Sequence, residues 1–177
     1  WSSDVCSSDL GLMDQLYPMM YFQGDNFYPF AIDWQEKSYG RTVVPGLGIY
    51  FLDPREGRWT LDIVKREMYV CRQLGLGHCY FRSRFFTNNT KGLYDYVCTF
   101  VDNYPALVPP MTWASNSRPA QPSEVSSRRT AADEELVEWQ GTTPYYNIYC
   151  SASYPVDVAD VRNLVAPRVS GNKLVVP

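Results

Sequence analysis

The chain has 177 residues, 16 of them Lys or Arg and 19 Asp or Glu, for a net charge of −3. That length suits one domain or two small ones, and the lack of a basic excess argues against a nucleic-acid surface. No apolar run reaches the ~18 residues of a membrane span, His78 is the single histidine, and the five cysteines carry no metal-like spacing.

Taken in chain order, Trp1–Leu10 (WSSDVCSSDL) resembles the translation of a short sequencing adapter. The expectation is an artefact over residues 1–10, with the native chain starting in the middle of a gene. Residues 12–22 form an apolar run that reads as a buried strand, closed by a polar loop from Gln23 to Asn26. Pro18 within it cannot donate a ladder hydrogen bond, so a bulge or an irregular start is expected there. The aromatic stretch that follows reads as a long loop with one helical turn at Ile32–Lys37.

Val43–Leu52 reads as a second strand, in which Gly46 and Gly48 leave one face bare for close approach of a neighbour or ligand. Asp53–Trp59 is a loop and Thr60 an N-cap. Leu61, Val64, Met68 and Cys71 then make one apolar helical stripe, stopped at Gly75 and Gly77. A third strand spans His78–Ser83. After a polar loop at Thr87–Lys91, a second helix runs from Gly92 to about Asn103 and ends at Tyr104-Pro105. Strand, helix, strand, helix with short loops predicts right-handed parallel crossovers, with residues 12–22 as a third parallel strand.

Residues 105–122 are proline-rich and mark a domain boundary. Beyond them Glu135–Trp139, Tyr145–Cys150 and Leu174–Val176 read as strands and Val158–Leu164 as a helical turn. Ser126–Thr130 reads as a solvated loop. Short strands broken by turns predict a β-sandwich module.

Several segments carry a resemblance over residues 13–113. They are Asp14-x-x-Tyr17-Pro18-Met19-Met20-Tyr21, Val43-Val44-Pro45-Gly46-Leu47-Gly48-Ile49-Tyr50, Trp59, Gly77-x-x-Tyr80-Phe81-Arg82, Lys91-Gly92-Leu93-Tyr94-Asp95 and Tyr104–Pro110. In this order and spacing they resemble the C-terminal part of a bacterial glycosyl-hydrolase-like TIM-barrel family related to family ten glycosidases. Residues 119–177, through Pro122, Leu136-x-x-Trp139, Tyr146–Tyr149 and Ser151, resemble a fibronectin type III module. The resemblance implies α/β plus all-β: a C-terminal fragment of a (β/α)8 TIM barrel over 11–113, a linker over 114–121, and a truncated fibronectin type III-like β-sandwich over 122–177.

Barrel active sites lie at the C-terminal ends of the strands. The candidate substrate-binding residues there are Tyr21, Gln23, Asp25, Tyr50 and Arg82. Tyr21 and Tyr50 either pack on a sugar ring or cap the core. Arg82 and Gln23 grip sugar hydroxyls or a carboxylate, or Arg82 pairs with a structural acid. Glycoside hydrolysis needs two facing carboxyl groups, and no convincing pair is present. Asp14 lies at the wrong strand end and reads as structural, while Asp25 and Asp53 sit in ordinary turn sequences. The resemblance implies a secreted, periplasmic or cell-surface parent acting on oligo- or polysaccharide, its acid pair upstream, with no cofactor or metal, and a chain inactive by itself. The alternative is a non-catalytic glycan-binding or cell-surface protein on the same barrel.

Overall fold

A computed structural model describes residues 11–131 and 133–176, so the adapter-like segment 1–10 lies outside the described residues. Those residues divide into two compact units, 11–101 with 109–115, and 102–108 with 116–176.

The first unit is built on three parallel strands. The run at 12–22 forms β1 (Gln15–Leu16) and β2 (Met19–Met20), and the run at 43–52 forms β3 (Thr42–Val43) and β4 (Gly46–Leu47). With β5 (Cys79–Tyr80), they pair in parallel, Gln15 opposite Thr42 and Met19 opposite Gly46 opposite Cys79. Both breaks follow from proline chemistry. Pro18 and Pro45 each forfeit a backbone donor, yet their carbonyls keep the ladder going, accepting from Gly46 at 2.8 Å and from Cys79 at 2.9 Å.

The strands are shorter than the apolar runs suggest, and the helices differ too. Tyr50 lies in a 3-10 turn, Ile49–Leu52, rather than in a strand. The expected single turn at Ile32–Lys37 is a helix, α1 (Phe27–Glu36). Pro29 signals a loop in the sequence, but it falls in the first helical turn, where backbone N–H groups have no intrahelical partner to lose. The striped helix is α2 (Leu61–Gln73), with Thr60 at its cap position but making no side-chain cap bond. The third strand stops early, giving way to α3 (Ser83–Thr87). The last helix is α4 (Leu93–Tyr96) followed by a wider π-type stretch, Val97–Val101.

One face of the sheet is covered. Met20 and Leu47 pack with Phe27 and Ala31 of α1, Val64, Met68 and Cys71 of α2, and Phe85, Leu93 and Val97. On the edge strand the exposure alternates: Leu16 is half-buried and Pro18 and Met20 are buried, whereas Met13, Tyr17 and Met19 are 43, 58 and 75% exposed. The second face of β1 and β2 is therefore bare within this unit. Trp113 closes the strands' N-terminal end. Its indole Nε1 donates to Asp14 Oδ1 at 2.8 Å, and the Arg41 guanidinium lies 4.9 Å from its ring centre.

The second unit is antiparallel. Strands β6 (Ser123–Ala131), β7 (Glu134–Gln140) and β10 (Lys173–Val176) form a sheet in the order β10-β7-β6, and β8 (Tyr145–Tyr149) and β9 (Leu164–Ser170) form a ribbon. The expected loop at Ser126–Thr130 is corrected: it is the middle of β6, an edge strand exposed throughout. An edge strand with no buried face needs no apolar residue, so its polar composition resembles that of a loop. The sheet and the ribbon meet where Trp139 and Tyr146 pack edge to face at 5.2 Å. The expected turn at Val158–Leu164 is present as a 3-10 turn, Val161–Asn163. Among the described residues no helix is long and apolar enough to cross a membrane.

Candidate functional site

The C-terminal ends of the three parallel strands each deliver one ring to a common point. Tyr21 follows β2, Tyr50 follows β4 and Phe81 follows β5. Tyr21 and Phe81 stack at 5.5 Å, 25° from parallel, and Tyr50 stands edge-on to both, at 5.6 and 5.8 Å. Parallel pairing explains the convergence: strands in register end at the same level, so Tyr21 and Phe81, one place past their strands, and Tyr50, three places past its own, become neighbours.

The bare glycines make this possible. A Cβ on Gly48 would lie 3.3 Å from the Tyr21 ring and 3.2 Å from Phe51, and one on Gly46 would lie 3.8 Å from both Tyr21 and the Cys79 sulfur. The neighbour that approaches those glycines is thus Tyr21. Burial, then Tyr50 and Cys79 beside it, raise the Tyr21 pKa, so its hydroxyl stays protonated and can donate a hydrogen bond.

A second layer supports the rings. Phe51 packs on Tyr50 at 4.0 Å and on the buried Trp59 at 4.8 Å. The loop between them folds tightly, with Glu56 and Gly57 both donating to the Asp53 carbonyl. A Cβ on Gly57 would meet the Phe51 side chain at 2.7 Å.

The rim is ionic. Asp53 accepts from Arg55 Nη2 at 2.8 Å and from Arg55 Nε at 3.1 Å. That side-chain pairing, with the Arg55 backbone N–H, lowers its pKa to about 2, so it is a fixed anion and unsuited to act as a general acid. Arg82, next to Phe81, lies 3.7 Å from Glu56 and is half exposed.

The five residues singled out from sequence are placed differently from one another. Tyr21 and Tyr50 touch, and Arg82 joins them through its neighbour Phe81. Asp25 is turned to α2, where it pairs with Arg66 at 3.2 Å. Gln23 is exposed in the loop before α1 and, among the described residues, has no bond to the cluster. Phe81, Phe51 and Glu56 were not among the candidate binding residues. For Phe81 the signal was there: it continues the alternation Gly77, Cys79, Phe81 on the face that carries Gly46.

No group of three or more His, Cys, Asp or Glu among the described residues is arranged to hold a metal ion. No protein-family model, curated protein or solved structure matches the chain.

Proposed function

We propose that the chain supplies part of the saccharide-binding wall of a glycoside-hydrolase-like (β/α)8 barrel, with the two hydrolytic carboxyl groups contributed by barrel strands outside this chain. The supporting observation is the convergence of Tyr21, Tyr50 and Phe81 from the ends of three adjacent parallel strands. Aromatic faces stack on the C–H face of a pyranose ring, and strand ends are where barrels of this kind bind their substrates. The Arg82–Glu56 pair is long and exposed, so a sugar hydroxyl or carboxylate can take its place on the guanidinium. The parent is read as a secreted or surface protein in which the second unit is a fibronectin type III-like spacer; two antiparallel layers joined through Trp139 and Tyr146 support that part.

The test is a protein with a complete barrel around residues 11–113, applied to a glycan array and to polysaccharides with reducing-end detection. Binding that falls about tenfold in Tyr50→Ala is expected. Binding unchanged by that substitution would remove the aromatic wall from the reading. A second reading, a non-catalytic glycan-binding protein on the same barrel, is favoured by the state of the nearest acids: Asp53 is locked to Arg55 and Glu56 faces Arg82. Binding without hydrolysis, and no pair of carboxylates at the ends of the remaining strands, would select it.

A further inference from the structure

Away from the strand ends, α2 carries one side chain that its surroundings do not explain. Glu67 lies on the buried stripe between Val64, Met68 and Cys71 and is 3% exposed. Neither carboxyl oxygen has a hydrogen-bond partner. An ionised carboxylate in such a place carries its full desolvation cost, so the group is held in the protonated form.

Beside it lies a cavity of about 250 Å³ between α2 and the start of α1, lined among others by Gly24, Phe27, Tyr28, Ile63 and Val70. The charged groups near that cavity are Asp62 and Arg66 of α2, and Arg66 is already taken by Asp25. From α1 the cavity receives the phenol of Tyr28, while Asp33 of that helix pairs with Lys37 at the surface. The next turn of α2 brings the buried thiol of Cys71, whose pKa burial and the Glu67 charge both push up, to about 12. From the sheet come Met20 and Leu47, which do not titrate, and from β5 the half-buried Tyr80, whose hydroxyl is 2.9 Å from His78 Nε2. None of these makes a hydrogen bond to Glu67, and Arg66, which lines the same cavity, is turned to Asp25.

We propose that Glu67 is a proton-controlled latch on the α1–α2 contact: protonated, it lets the helices close on it, and ionised, it draws water in through the adjacent cavity and frees the start of α1 with the 3-10 turn Gly24–Asn26 that leads into it. Burial is the one cause that raises the Glu67 pKa, from 4.5 to about 8. A carboxyl whose closed-state pKa is raised stabilises the closed form fully below its open-state value. That stabilisation is lost as pH rises through the closed-state value. The segment released follows Gln23 and contains Asp25, which ties the latch to the loop before α1.

Amide hydrogen exchange on the whole chain tests it. Protection of α1 and α2, corrected for intrinsic exchange, should fall up to tenfold per pH unit between about pH 5 and pH 8 and then level off. In Glu67→Gln it should be flat over the same range. Equal pH dependence in the two proteins would overturn the proposal. Carbon-13 NMR of the unmodified chain gives an answer that needs no variant: a Glu67 titration midpoint well above the usual carboxylate range supports the latch, and one within that range overturns it.

Discussion

At the scale of single residues, the rim of the site and its wall respond to different variables. Asp53 has a depressed pKa in the folded chain, so the stability it contributes is present above the ordinary carboxyl value and is lost as pH falls through about 2. The pair is solvent-exposed on the arginine side, and its worth to folding is small. Its role is to fix the charge and the turn. An NMR titration should therefore find Asp53 ionised down to about pH 2, and Arg55→Ala should return its midpoint toward 3.8. A midpoint unmoved by that substitution would mean that the turn backbone, rather than the guanidinium, holds the anion. Tyr21 and Tyr50 were legible in the sequence because aromatic residues at strand ends are conspicuous. Asp25 was equally conspicuous, yet its partner Arg66 lies 41 positions away, and nothing local in the sequence announces such a pairing.

Elements carry the next layer of the argument. The prolines in the parallel strands kept the strands in place but shortened them, because an apolar run records burial and not hydrogen bonding. The same limit explains α1: Pro29 and four aromatic residues hide a helix whose buried side is only Phe27 and Ala31. Polar β6 is the opposite case, an element with too little burial to leave any pattern. The segment around Trp113 shows what irregular chain does for regular elements. It holds Asp14 through one hydrogen bond and Arg41 through one cation–π contact. Those two interactions are worth about 1 kcal/mol each. Trp113→Ala should then cost about 2 kcal/mol in chemical denaturation followed on the first unit, and Asp14→Asn, which keeps an acceptor, distinctly less. Equal losses would show that the Asp14 charge matters, rather than the hydrogen bond.

For the molecule as a whole, the parallel pairing of the strands was readable from the alternation of strand and helix with short loops between them, which leaves a crossover as the natural connection. Three strands of a barrel also imply an uncovered face, and which residues line it is a finding of the structure. Met13, Tyr17 and Met19 leave that face greasy, and contiguous exposed apolar surface drives association. The chain should bind a hydrophobic dye and associate with rising concentration in analytical ultracentrifugation, and Met19→Lys should weaken both. A monomer that ignores the dye would mean that the face is covered by something else in solution. The contact between Asp14 and Trp113 also has a kinetic side. It joins positions 99 apart, so it closes a long loop. The parallel strands and their two helices can assemble before that contact exists. The cost of closing that loop predicts that the indole docks onto a sheet already formed.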